Sequence, residues 1–463
     1  MLSFVCRRAT LSIKKRASSS IARSFTFAGL GLLALTAFSG QALAASNTAA
    51  GLCSAAGTHY NTIQEAVNAV ELLAAPRTVR VCPGTYTEQV NITASLTLEG
   101  VASGTSDAAV VEPPYPGGLI QNGTDIFGSP VAAQIFVAST SGSVTVEYLT
   151  VDGVGNNLAG CGAPTLEGIY FQNTSGTITH NTVRNQYQTD IVDYGGCQNG
   201  LAINVESPNA GNTVTVSDNS VRAYQKNGIT ATGAATGPGS LGPSVTISGN
   251  YIVGLGATAL NWMTNAPAAE NGVQVGFGAK GSVSTNTVND HIWEDDNSSQ
   301  PYNAASGILV YASPGITVAT NDIGSAQFGI STDDDPFYGP ANGTQVTGNR
   351  IAGTQIFDAI DLCSNSNLAH GNIVYGSAQS AIHFDDSCGS GNNNNATNNT
   401  INEACAGILQ GTGTGNTQSA NGFANVTNTT LTGDVCTPTP GARSEGAKQQ
   451  ARLRPSPYKP GRK

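Results

Sequence analysis

The chain has 463 residues, of which 11% are charged and 6% aromatic, with 56 glycines. That composition argues against helical globules and for a β-rich repeat with chain enough for a large core. The net charge of −10 is unevenly laid out: six of the 20 bases lie in residues 1–45 and seven in residues 441–463, so the body between carries seven bases against 29 acids, a net of −22. Such a body repels nucleic acid and anionic lipid, which leaves cations, neutral sugars, or anionic polymers bridged by metal as partners.

Residues 1–45 read as a secretory signal. Arg7, Arg8, Lys14, Lys15, Arg16 and Arg23 form a basic start, residues 25–38 are apolar, and Ala42-Leu43-Ala44 is a small-residue cleavage site. The alternative is an uncleaved anchor, but the apolar run is short for a span, and no later stretch is apolar enough to cross a bilayer. The mature chain is therefore expected to be secreted, periplasmic or held at the cell surface, without a membrane span.

Export makes the cysteines informative. Cys6 falls in the signal, leaving Cys53, Cys82, Cys161, Cys197, Cys363, Cys388, Cys405 and Cys436. An even number in an exported chain points to disulfides, and spacing favours neighbours: 53–82, 161–197, 363–388 and 405–436. No paired-cysteine or Cys/His pattern supports zinc.

Residues 46–100 read as an N-terminal cap and first coils. Residues 62–70 place apolar side chains at helical spacing, with Thr62 as cap and Glu65 three later, so a short helix is predicted. Short strands separated by turn residues follow at 78–82, 83–86, 88–92 and 96–100.

Tyr60-Asn61-Thr62-Ile63-Gln64-Glu65-Ala66-Val67, followed by Val81-Cys82-Pro83-Gly84-Thr85-Tyr86-Thr87-Glu88, resembles the opening of secreted right-handed parallel β-helix proteins of the pectin-lyase-like superfamily. The resemblance runs through the repeats to about residue 430. It implies an all-β, single-stranded solenoid whose short helix caps the N-terminal end. It does not imply one activity, since the superfamily holds lyases, hydrolases, esterases, epimerases and adhesins.

Residues 101–435 carry the repeat, with long inserts at 102–130, 154–166, 233–243, 255–270 and 293–305. One half of each unit leads into Asn-x-apolar: Asn181, Asn219, Asn250, Asn286, Asn321, Asn349, Asn372 and Asn399. The other half is a Gly/Ala-Ile strand, as at Gly307-Ile308, Gly329-Ile330, Ala359-Ile360 and Ala381-Ile382. Each coil has too little core alone and must bury its Ile and Val against its neighbours. The asparagines are expected at the bends, where Asn tolerates left-handed dihedrals, with amides bonding from coil to coil. The segment 436–463, basic and poor in apolar residues, is expected to be a disordered tail.

Three segments between 328 and 387 share a plan. Aligned on Ile330, Ile360 and Ile382, the next position reads Ser331, Asp361, His383, and the position three on reads Asp333, Cys363, Asp385. If the strands stack in register, both columns face one way in rows about 4.8 Å apart. Crowded carboxylates push one pKa up and supply a general acid. Asp361 and Asp385 are the predicted acid/base pair, His383 tunes protonation, and Asp333 and Asp386 position water or a cation. Asp333 and Asp385, two rows apart, would stand roughly 9–10 Å from each other, near the separation of an inverting glycosidase. Asp334 and Asp335, just beyond, are candidate calcium ligands. Trp293, Asp295, Asp296, Tyr311 and Tyr338 would flank a cleft.

The Asp361 strand followed by Asp385-Asp386 resembles the aspartate trio of polygalacturonase-type hydrolases, but their Gly-His-Gly and Arg-Ile-Lys motifs are missing. The Asp-Pro-His-Asp motif of alginate epimerases and the arginine-plus-calcium site of pectate lyases find no match. The leading expectation is a polysaccharide-active glycosidase or lyase needing no cofactor, with calcium a candidate ion for the acidic face. The alternative is a non-catalytic cell-surface or matrix protein that binds glycan or calcium there, and a merely solvated face is the bland third. In each case the expected partner is polysaccharide or cell-surface glycan, and the expected state a monomer.

Overall fold

The structure, a computed structural model, describes residues 46–55, 57–101, 108–138, 140–191, 197–234, 241–256, 269–292, 305–353, 357–433 and 436. The signal-like segment 1–45, the tail from 437 on, and Trp293, Asp295 and Asp296 lie outside the described residues.

The chain winds as a parallel β-helix with three strand ladders. The first is a 14-stranded sheet, and the other two share a 23-stranded sheet. Named strand pairs are parallel apart from the short Gly123–Thr124 pairing on Pro130–Ala138. The third ladder holds the repeat's isoleucines in one register: Ile169, Ile203, Ile229, Val273, Ile308, Ile330, Ile360, Ile382 and Ile408 are partners from coil to coil. All are fully buried in one apolar core that runs from the N-terminal coils to Ile408. The glycine before Ile330 has a steric cause: a Cβ on Gly329 would stand 2.4 Å from the Ala359 carbonyl oxygen.

The helix is Ile63–Glu71, starting directly after its predicted cap, and Thr62 and Glu65 form the expected capping box. Glu88 adds a second cap, accepting from the Ile63 and Gln64 N–H groups at 2.8 and 2.9 Å. Tyr86 donates to the Ala50 and Cys82 carbonyls.

The asparagines form a continuous ladder. Each backbone N–H from Asn181 to Asn399 donates to the side-chain oxygen of the next coil's asparagine, at 2.9–3.0 Å. One expectation needs correction. The left-handed residue is the one before each asparagine: His180, Asp218, Thr285, Thr320 and Asn398 have φ of 55–57°, with Gly249, Gly348 and Gly371 at equivalent bends. The asparagine itself turns inward, where its amide satisfies backbone groups exposed by the bend.

Four disulfides are present: Cys53–Cys82, Cys161–Cys197, Cys363–Cys388 and Cys405–Cys436. These are the neighbour pairings that spacing favoured.

Candidate active site

The acidic face occupies the outward column of the third ladder. Phe328–Asp333 pairs with Ile360–Cys363, placing Ser331 opposite Asp361 and Asp333 opposite Cys363. Ile360–Cys363 pairs in turn with the end of Ile373–Phe384, placing Asp361 opposite His383. Period-two alternation sends Ile330, Ile360 and Ile382 into the core and these partners to the other side.

A connected chain of polar groups results. Ser331 Oγ donates to Asp333 Oδ1 at 2.6 Å and lies 3.3 Å from Asp361 Oδ2. Asp361 Oδ1 is 3.8 Å from His383 Nδ1 and has no hydrogen-bond partner. His383 Nδ1 is bonded to Asp358 Oδ2 at 3.0 Å. Asp358 Oδ1 accepts from the Ser380 N–H at 2.9 Å and from its hydroxyl. Asp358, Asp361 and His383 are buried, with 2%, 4% and 6% exposure, whereas Asp333 and Asp385 are partly exposed. A carboxylate oxygen of Asp361 also lies within 4.8 Å of one of Asp385.

Burial pushes the Asp361 carboxyl well above the usual carboxylate range, reinforced by the negative charges of Asp385, Asp358 and Asp333. Asp333 is pushed up to about 6 by burial, with Asp385 and Asp334 adding to the effect and the Ser331 hydroxyl opposing it. For His383, burial works against the charged form, but the bond to Asp358 and its charge outweigh this and raise the imidazole above its ordinary value. The geometry thus brings a carboxyl and an imidazole that both hold their protons more tightly than usual close to further carboxylates.

Other predicted residues are placed elsewhere. Asp386 turns to the next coil, where Thr412 N–H donates at 2.8 Å and the Thr412 hydroxyl also bonds, holding Asp386 below the usual carboxylate range. Asp334 accepts from Ala341 N–H at 2.7 Å. Asp335 accepts from Phe337 and Tyr338 N–H at 2.7 and 2.9 Å and from the Tyr311 hydroxyl. Both carboxylates therefore shape the turn after the strand. Among the described residues, the groups whose ligand atoms converge within 4.8 Å are Asp358–Asp361–His383 and Asp361–Cys363–Asp385, without Asp334 or Asp335. Cys363 is spent in its disulfide with Cys388, so the second group reduces to two carboxylates. Only the first offers three ligands.

Asp358, Ser331 and Ser380 were not singled out as site residues from sequence. Tyr311 and Tyr338 do meet: both pack edge-on against Phe277, with centroids at 5.2 and 4.8 Å, and Phe127 joins it at 6.0 Å. Arg350 sits on the second ladder, bonded to Asp322 at 2.7 Å, so it supplies no base to this face.

No protein-family model matches the chain, and no curated protein matches it. Solved structures match its shape. The Agl-KA catalytic domain aligns with a TM-score of 0.54 at 14% identity, over 80% of this chain and 63% of its own. The fold it shares with this chain is a parallel β-helix. The catalytic unit of a GH87 α-1,3-glucanase from Streptomyces thermodiastaticus gives a TM-score of 0.49 at 13% identity, over 80% of this chain and 65% of that one. The A-module of the mannuronan C-5 epimerase AlgE4 from Azotobacter vinelandii gives 0.42 at 15%, over 80% and 92%. This chain spans less than two thirds of the first two proteins. At 14% identity the likeness to the Agl-KA domain is one of fold, and no residue role transfers with it.

Proposed function

We propose that the chain is an exported polysaccharide-active enzyme whose catalytic pair is Asp361 and Asp385. The observation that carries this reading is the Asp361 carboxyl: buried, crowded by three other aspartates, and with one oxygen bonded to nothing. A structural carboxylate is normally satisfied. One held protonated with a free oxygen is poised to hand a proton to a substrate atom.

In this reading Asp361 is the general acid toward a glycosidic oxygen, and Asp385 is the carboxylate that serves the other side of the reacting sugar. An approach within 4.8 Å falls short of the about 6.5–9.5 Å gap that holds a water in inverting enzymes and lies near the about 5–5.5 Å of retaining ones. Asp385 would then act as nucleophile. Asp333, two rows from Asp385, would position water. Asp358 keeps His383 charged and oriented, and the imidazolium offsets negative charge gathered during the reaction. The aromatic cluster of Phe277, Tyr311 and Tyr338, in which Tyr311 is paired opposite Asp333, would supply faces for sugar rings. The four disulfides fit an oxidising compartment outside the cytosol.

The second reading is a non-catalytic cation or glycan site, favoured by the convergence of Asp358, Asp361 and His383 ligand atoms within 4.8 Å. Asp361→Asn and Asp385→Asn separate the two. The enzyme reading expects turnover on a polysaccharide to vanish with folding retained. The binding reading expects no turnover in any form, and calcium-dependent melting that the same changes abolish.

A further inference from the structure

A second carboxylate cluster lies on the same outward face, five rows nearer the N-terminus. Asn204 belongs to the column that continues through Thr230, Gln274, Leu309 and Ser331 to Asp361. At about 4.8 Å per row the two groups are roughly 24 Å apart, so this cluster is distinct from the site above.

Its members are Glu167 on Thr165–Gln172, and Asn204 and Glu206 on Leu201–Ser207. They are buried, with 1%, 1% and 7% exposure. Asn204 Nδ2 donates to Glu167 Oε1 at 3.0 Å and to Glu206 Oε1 at 3.2 Å. Glu206 Oε2 accepts from the Tyr170 hydroxyl at 2.6 Å and from Ile126 N–H at 3.2 Å. Two oxygens remain without a donor: Glu167 Oε2 and Asn204 Oδ1. Among the described residues, no Lys, Arg or His pairs with either glutamate.

The amide orientation is fixed by chemistry. Turned over, Asn204 would point its oxygen at two carboxylates. Its Oδ1 is therefore a committed acceptor lacking a donor, and so is Glu167 Oε2, on the carboxylate that Asn204 Nδ2 bonds through the other oxygen. Two buried carboxylates without a positive partner are costly, and every unmet atom here is a hard oxygen. Oxygen donors of this kind suit calcium or magnesium and not the softer transition metals.

We propose that Glu167 and Asn204, supported by Glu206, form a binding site for a hard divalent cation, with calcium the best fit to a site of carboxylate and amide oxygens. The ion takes the two unmet oxygens and balances the buried charge. It also secures the tip of the 108–130 insert, which touches this cluster through Ile126 and carries Phe127 onto Phe277.

The test uses the full chain carrying Asp361→Asn, so that the other converging ligand group is disabled. After chelator treatment, calcium alone is titrated by calorimetry, and melting is followed with and without it. The proposal expects one saturable ion per chain, a rise of several degrees in Tm, and loss of both on adding Glu167→Gln. No binding, or binding and stabilisation that survive Glu167→Gln, overturns it. The glutamate would then hold a proton only, since glutamine mimics the protonated acid. If Glu167→Gln fails to fold, metal content of the Asp361→Asn chain after dialysis against calcium decides: well under one ion per chain overturns the proposal, and one ion that Asn204→Ala removes supports it. Activity on a polysaccharide is not read, so the outcome is independent of the enzymatic reading.

Discussion

Asp358 Oδ2 stands 3.0 Å from His383 Nδ1, and Asp361 Oδ1 stands 3.8 Å from the same nitrogen. One carboxylate is satisfied by the imidazole and by Ser380. The other is left with an oxygen that bonds to nothing. This difference separates a residue that holds the histidine from one whose carboxyl keeps a buried, unbonded oxygen.

Replacing Asp358 with Asn should therefore act through His383. The imidazole loses its strongest acceptor, and its pKa falls from above the ordinary value. Breaking such a buried pair costs roughly 3–5 kcal/mol. Nuclear magnetic resonance titration of His383 checks the first effect and thermal melting the second. An unmoved imidazole pKa would contradict the assigned role.

The site should make the protein more stable on the acid side of neutrality. Asp333 keeps its proton up to about pH 6, while in the unfolded chain it ionises near ~3.9. The folded form thus binds the extra proton between those values, and stability is lost as pH rises through that window. His383, also raised, acts in the same direction, since its contribution is full below about 6.5 and is lost as pH rises through its folded pKa. Tm should fall as pH is raised from about 4 toward neutrality, and Asp333→Asn should flatten part of that fall, by the order of 1–2 kcal/mol after allowance for partial exposure. Equal slopes in the two proteins would contradict this.

The asparagine ladder should be costly to interrupt. Asn286 Oδ1 accepts from Asn250 N–H at 2.9 Å, and its Nδ2 donates to the Ile247 carbonyl at 3.0 Å. Asn286→Leu would leave both groups buried and unmet, at about 1–3 kcal/mol each. Urea unfolding should show a loss of about 3 kcal/mol or more. A loss under 1 kcal/mol would mean that the ladder is incidental.

The two loop-closing disulfides should differ in their effect on function. Cys363–Cys388 ties the strand of Asp361 to the turn after Asp385, where Ser387 donates from its N–H and hydroxyl to Asp385 at 2.8 Å. Removing either this bond or Cys161–Cys197 should cost about 3.5–4 kcal/mol in the chain-entropy account. Only loss of Cys363–Cys388 should lower turnover at temperatures where both variants remain folded.

The fold was legible because a solenoid repeats its burial rule in every coil. The Gly/Ala-Ile strands and bend asparagines appear again and again, so one reading applies to the whole chain. The column of Ser331, Asp361 and His383 followed from the same alignment. Asp358 was missed because it lies just before Ile360–Cys363, outside the strand. There, alternation no longer says which way a side chain points. The clue was available one coil later, since Ser380 occupies the equivalent place and bonds back to it. Glu206 sits three positions after Ile203, in the column of Asp333, and would have emerged had the alignment been carried to the earlier coils. The direction of Asp386 depends on Thr412, 26 residues away in the next coil, which no local pattern foretells.

The central claim is that Asp361 and Asp385 perform chemistry on a polysaccharide. Full-length protein, Asp361→Asn and Asp385→Asn should be compared on a panel of polysaccharides, following new reducing ends and the absorbance of unsaturated products. The account predicts product from the parent protein, at least a hundredfold less from either variant, and near-parent melting for both. Turnover in the variants equal to that of the parent would contradict it.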